Sequence, residues 1–192
     1  MTDDPFGLQR FVDAQEGVID QALAELRACA KRSHWMWFVF PQLRGLGRSV
    51  TARHYGIASR DEALAYWRHP VLGPRLKACA DALRAHGGRT LAQILGSPDD
   101  LKLVSSMTFF DAVVLDEPVF GQVLALHAAG RRDPLTLALL REPWSDAPPD
   151  ASAASRSFRG ADNRAEASAG SSAGTTDGGP SNGPSGAPAP ST

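Results

Sequence analysis

The sequence has 192 residues, with 20 Lys or Arg, 21 Asp or Glu and a formal net charge of −1. That length implies one globular domain with room for an appendage, and the balance of charge gives no global electrostatic case for nucleic acid or a membrane surface as partner. No apolar run reaches about 18 residues, so no membrane-spanning helix is expected.

Asp4-Pro5 has the form of a helix start, an acidic N-cap followed by proline at the first helical position. Phe6, Leu8, Phe11 and Val12 follow at roughly helical spacing until Gly17 interrupts. Val18 to Ala30 predicts an amphipathic helix. Its buried face carries Ile19, Ala22, Leu23, Leu26 and Ala30, and its outer face Asp20, Gln21, Glu25 and Arg27. Ser33 then precedes an apolar aromatic run, His34 to Phe40, which Pro41 closes. Periodicity does not separate a buried strand from a buried helix over so short a run. No other segment offers a strand to pair with, so a short helix is expected.

Ser49 caps a helix to Ile57, and Ser59 caps another with Asp61 and Glu62 in its first turn, ending before His69-Pro70. Val71 to His86 reads as a long amphipathic helix stopped by Gly87-Gly88. Thr90 starts a short helix that ends at Gly96. Ser97-Pro98-Asp99-Asp100 is a strong start for the next, with serine as N-cap, proline first in the helix and carboxylates on the positive end of its dipole. That helix should reach about Val114. Pro118 and Asp133-Pro134 open the last two, the final one carrying Leu135, Leu137, Leu139 and Leu140.

There is no alternating stretch, hairpin turn or βαβ rhythm. The expectation is an all-α domain over residues 1–143, a compact irregular bundle of about eight short helices. About 140 residues suffice to bury a real core. Residues 144–192 are dominated by Ala, Ser, Gly and Pro, with Trp144 and Phe158 as their large apolar side chains. Such a composition buries too little surface to offset ordering entropy, so a disordered tail is expected.

Two cysteines, Cys29 and Cys79, each sit in Ala-Cys-Ala, outside any metal spacing, and read as small buried hydrophobes. Thr2 to Pro5 precede no apolar segment of signal-peptide type. A reduced, cytoplasmic protein is the expectation. The histidines (His34, His54, His69, His86, His127) show no paired ligand spacing, so neither metal nor cofactor is expected.

The unusual stretch is basic and aromatic. From Leu26 to Arg60 stand seven bases (Arg27, Lys31, Arg32, Arg44, Arg48, Arg53, Arg60) and no acid. Trp35, Trp37, Phe38 and Phe40 lie inside it. The aromatics run contiguously, as in a core, and are not interleaved with bases, which argues against a nucleic-acid interface. A solvated basic face is expected instead, pairing with acids elsewhere such as Asp61, Asp81 or Asp111. Gly45-x-Gly47 is too short for a phosphate loop and lacks the Lys-Ser/Thr that such a loop needs.

Several separated blocks resemble one bacterial family, catalogued as a domain of unknown function, number 1810. They are Asp4-Pro5-Phe6, Leu8 to Phe11, Lys31 to Phe38, Phe40-Pro41-Gln42, Gly45-Leu46-Gly47, His69 to Gly73, Asp99 to Lys102 and Ser105 to Thr108. The resemblance spans roughly Asp4 to Leu140 and implies a small all-helical bundle, with no catalytic residue to carry over. Some members bear the label calpastatin, which would imply inhibition of a calcium-dependent protease. Calpastatin's inhibitory segments are flexible repeats, whereas this stretch reads as a compact domain without repeats.

Two blocks are candidates for a joint ligand site. One comprises Lys31, Arg32, Ser33, His34 and Trp35 with Gln42 and Arg48; the other comprises Asp99, Lys102, Ser105 and Ser106. On a helix Lys102, Ser105 and Ser106 share one face, with Asp99 a turn earlier. Facing the first block, they would offer donors to a phosphate or carboxylate, with Trp35 or Trp37 for stacking. The leading expectation is therefore a cytoplasmic domain that binds a small anionic, nucleotide- or phosphate-like ligand. A second is a protein-interaction module that docks a partner through an exposed Trp35–Phe40 block. A third is an enzyme using His34 as acid or base. Ser33-His34 is no nucleophile-base signal, since neighbours on a helix point about 100° apart.

Overall fold

The computed structural model describes residues 4–142, so the expected tail lies outside the described residues. Ten helices run through them: α1 Gln9–Gln15, α2 Ile19–Arg27, α3 Met36–Val39, α4 Val50–His54, α5 Arg60–Arg68, α6 Leu72–Arg84, α7 Leu91–Leu95, α8 Asp99–Val113, α9 Val119–Ala128 and α10 Pro134–Leu139. The all-α class holds. The ten helices correspond one to one with the ten segments marked along the sequence, so the figure of about eight undercounts them. Among the described residues no strand forms; a single isolated parallel bridge joins Leu43 to Ile57.

Most ends form as the local chemistry dictates. Ser49 Oγ accepts the Ala52 N–H and Ser59 Oγ the Glu62 N–H, each at 3.0 Å. Thr90 and Gln93 form a reciprocal capping box on α7. Asp133 Oδ2 accepts the Thr136 N–H at 2.9 Å. Two starts differ from expectation. Asp4 does cap α1, but across a turn: its carboxylate accepts from the amides of Leu8 and Gln9 at 2.7 and 2.9 Å, and Pro5 and Phe6 precede the helix. That turn passes through Gly7 at φ 62°, a conformation that glycine adopts without a Cβ clash. Ser97 is not the cap of α8; Pro98 holds that position without a side-chain bond, and Asp99 and Asp100 occupy the first turn.

The core lies between α6 and α8. Helices α3, α5 and α9 each pack on both, α2 adds to α6, and α7 and α10 add to α8. Helix α8 is buried nearly all round, through Leu103, Ser105 to Phe110, and Val113. An aromatic spine threads the centre: Phe11 to Tyr66, Tyr66 to Phe110 and Phe110 to Phe120, with ring centroids 5.0, 5.8 and 5.4 Å apart. These spacings are those of favourable ring pairs. The aromatic run of the sequence enters this core as α3, with Trp35, Met36, Val39 and Phe40 buried. Gln15 Nε2 donates to the Phe38 carbonyl at 2.7 Å and to the Tyr66 hydroxyl at 3.1 Å, and Tyr66 donates to the same carbonyl at 3.2 Å. Polar groups at the end of α3 are thus satisfied inside the core, where leaving one unpaired would cost about 1–3 kcal/mol.

Candidate functional site

The Lys31–Trp35 connection is shaped by Glu25. Sequence pattern places this residue on the outer face of α2; the structure buries it, at 8 % exposure. Its carboxylate accepts the amides of Arg32 and Ser33 at 2.9 and 3.2 Å, the Ser33 hydroxyl at 2.7 Å and the buried Trp35 indole N–H at 2.9 Å. Gln21 Nε2 adds a fifth bond at 3.1 Å. Burial alone would raise its pKa, but the bonds from Arg32, Ser33 and Trp35 outweigh burial and hold the carboxyl at about 2. The Lys31 amide donates to the Ile94 carbonyl of α7 at 2.9 Å, which anchors the other end of the connection.

So held, Lys31 meets the start of α8. Its ammonium lies 2.6 Å from Asp99 Oδ2, and the Lys102 ammonium lies 2.8 Å from Oδ1 of the same carboxylate. Lys31 also donates to the Ser33 carbonyl at 2.8 Å. Each ammonium stands against an indole: Lys31 is 5.0 Å from the Trp35 ring centroid and Lys102 is 4.0 Å from that of Trp37. Such cation–π contacts contribute about 0.5–2 kcal/mol. Burial raises the Asp99 pKa, but the hydrogen bonds from Lys102 and Lys31 prevail and hold it below the usual carboxylate range. Two ammonium groups share the Asp99 carboxylate, and the Glu25 carboxylate, bonded to the Ser33 amide and the Trp35 indole, is a second acid on the same connection.

The remaining candidates separate. Arg32 and His34 are exposed and carry no side-chain partner among the described residues. Ser33 is turned inward to Glu25, so it forms no pair with His34. Gln42 is half-buried, and its carbonyl accepts the Ile57 N–H at 3.0 Å. Arg48 is exposed just before α4 and makes no contact with the Lys31–Asp99–Lys102 cluster. Ser105 and Ser106 follow Lys102 on α8 at i+3 and i+4, but their hydroxyls bond away from the Asp99 cluster. The Ser105 hydroxyl donates to the Leu101 carbonyl at 3.2 Å and to Asp133 Oδ2 at 3.1 Å. The fully buried Ser106 hydroxyl donates to the Pro41 carbonyl at 2.8 Å. Both serines knit α8 to its neighbours. In the aromatic block Trp35 and Phe40 are wholly inside, while Trp37 and Phe38 are half-buried, so the block is not presented as one exposed surface.

With this geometry in view, comparison with known proteins is specific. Residues 5–140 match the family described as "Protein of unknown function (DUF1810)". The chain belongs to the DUF1810 family. It is also similar to a solved structure, the conserved hypothetical protein Rv1873 from Mycobacterium tuberculosis, at 51% identity and a TM-score of 0.71. That likeness covers 73% of this chain and 100% of the other. No curated protein matches the sequence significantly. The family match thus spans the whole helical domain and ends near α10.

For this DUF1810 domain, the residue missed by sequence reasoning is Glu25. The signal was present: Ala22, Glu25, Leu26 and Cys29 fall on one helical stripe, and an acid on an apolar stripe calls for buried donors. Glu62 repeats the lesson on α5. It is buried, pairs with Arg10, and accepts the Ala58 N–H at 2.8 Å. No helix among the described residues is long and apolar enough to cross a membrane. Among those residues no group of three or more His, Cys, Asp or Glu is placed to hold a metal ion. Cys29 and Cys79 are free and buried, as the sequence implied.

Proposed function

We propose that this DUF1810 domain binds a small anionic ligand, phosphate- or nucleotide-like, at the cluster of Lys31, Asp99 and Lys102. The observation that carries the reading is the convergence of Lys31 and Lys102 on the two oxygens of Asp99. Two sequence-remote cations thereby stand together beside two indoles, with one carboxylate between them. An incoming oxyanion would accept from the ammonium N–H groups that Asp99 does not use, and the half-buried face of Trp37 would lie against an aromatic or sugar moiety. Arg32 and His34, exposed on the adjoining connection, supply further donors within this proposal. Ser105, Ser106 and Arg48 have no part in it. A cytoplasmic setting belongs to the same proposal, and the free buried thiols are in keeping with it.

The test is a thermal-shift series on the full 192-residue chain with pyrophosphate and AMP, repeated with Lys102→Ala and Arg32→Ala. A ligand that binds only the folded state raises the melting temperature by mass action. Stabilisation lost in Lys102→Ala and weakened in Arg32→Ala supports the site. No stabilisation by either probe, or stabilisation unaffected by Lys102→Ala, refutes it. Refutation would transfer the weight to a protein-interaction role, whose support is the half-buried pair Trp37 and Phe38.

A further inference from the structure

The basic window contains a second cationic feature, separate in sequence from Lys31 and Lys102. Of the acids expected to neutralise the window, Asp81 pairs with Lys77 and Arg84 and Asp111 with Arg132, while Asp61 forms no ion pair among the described residues. Among the described residues, Arg44, Arg48, Arg53 and Arg60 form no ion pair. Three of these four lie in one loop closed at its base. The Leu43–Ile57 bridge brings its ends together, with the Arg44 amide donating to the Ile57 carbonyl at 2.8 Å. Residues 44–56 between them include Arg44, Arg48, Arg53 and His54 and no Asp or Glu.

The loop is folded tightly on itself. A Cβ at Gly47 would stand 2.4 Å from Ala52 Cβ, and one at Gly56 would stand 2.9 Å from the Ala52 carbonyl and 3.1 Å from Arg44 Cα. Arg10 braces it from α1, donating from Nε to the His54 carbonyl at 3.0 Å. Arg10 is itself neutralised by Glu62. Arg44 is not neutralised. It is half-buried, its Nη2 makes one long bond to the Gly56 carbonyl at 3.3 Å, and its Nε is buried without any partner. The Nε is closed to solvent, but a half-buried guanidinium without a counter-ion is an expensive arrangement that an anion on its Nη groups would relieve. His54 reports the same field: burial, then Arg10 and Arg44, lower its pKa.

We propose that the Arg44–Gly56 loop is a second anion site, which holds a phosphate-type oxyanion on the Arg44 guanidinium, with His54 within electrostatic reach of the bound charge. The planar fork of arginine matches two oxygens of such an ion. Compact loops with joined ends are frequent carriers of function, and this one presents four positive or ionisable side chains with no Asp or Glu of its own, Glu62 outside it being paired with Arg10 and Asp13 acting on Tyr55.

The experiment is a titration of the isotopically labelled full chain with inorganic phosphate, followed by NMR at the His54 ring and the amides of residues 44–57. Saturable shifts are expected there, with the His54 titration midpoint moving upward as the dianion offsets Arg10 and Arg44. Arg44→Ala should abolish these shifts, and Lys102→Ala should leave them unchanged. If Arg44→Ala fails to fold, Arg44→Lys decides, since it keeps the stem and charge but loses the fork; several-fold weaker binding supports the site, and undiminished binding overturns it. Absence of saturable shifts overturns it. So does their reproduction by sodium chloride at equal ionic strength, or their loss in Lys102→Ala.

Discussion

The indole N–H of Trp35 donates to the carboxylate of Glu25 at 2.9 Å, entirely inside the protein. Through this bond a helix that reads as simply amphipathic determines the course of the connection that follows it. The carboxylate turns two backbone amides and the Ser33 hydroxyl inward, and leaves Arg32 and His34 facing solvent.

Glu25→Gln should therefore destabilise the domain by about 2–3 kcal/mol, because an amide returns weaker bonds and presents its own donor to a ring of donors. The acid profile gives a sharper test. The folded Glu25 carboxyl is held at about 2, below its ordinary 4.5. A depressed carboxylate contributes stability that is fully present above the ordinary value and is lost as pH falls through the folded one. Urea unfolding of the parent should weaken between those limits, and Glu25→Gln should show a shallower decline. Identical profiles would remove Glu25 from this role.

Asp99→Asn should leave the Lys31 and Lys102 ammonium groups without their shared counter-charge. The loss of stability should be about 1–3 kcal/mol, below the cost of breaking a fully buried pair, because Lys102 keeps 20% of its side-chain exposure. The same substitution removes the acid that competes with an incoming anion. Pyrophosphate should consequently raise the melting temperature of Asp99→Asn more than that of the parent. Equal shifts in the two proteins would mean that the anion does not enter this cluster.

Gly73→Ala probes the packing of α6 on the end of α5. A Cβ at Gly73 would lie 1.9 Å from the Trp67 backbone carbonyl oxygen, which has no rotamer through which to retreat. Overpacking of this kind costs about 1–3 kcal/mol or more. Chemical denaturation should show that loss, while Gly88→Ala, with no atom within 4 Å of the added carbon, should be close to neutral. A neutral Gly73→Ala would mean that α6 shifts freely against α5.

Much of the fold is legible along the chain. The caps at Ser49, Ser59, Thr90 and Asp133 form where their residue types place them, and the middle of the aromatic run, Met36–Val39, is a short helix, as the lack of a partner strand argues. The meeting of the Lys31 and Asp99 segments is also legible in the sequence, but its membership is not. Ser105 and Ser106 share a helix with Lys102 yet bond to Asp133 and to the Pro41 carbonyl. Spacing says which residues lie near one another on a helix; it does not say which neighbour each hydroxyl will find.

The sequence by itself therefore determined the helical class, most helix starts and the family, because caps and turns depend on groups within about four residues of one another. The tertiary structure alone decided that Glu25 and Glu62 are buried, that Lys31 and Lys102 share Asp99, and that Arg44 stands without a counter-ion. Each of those outcomes turns on donors and charges brought together from distant parts of the chain. Their balance of desolvation against pairing exists only once the core has closed around them.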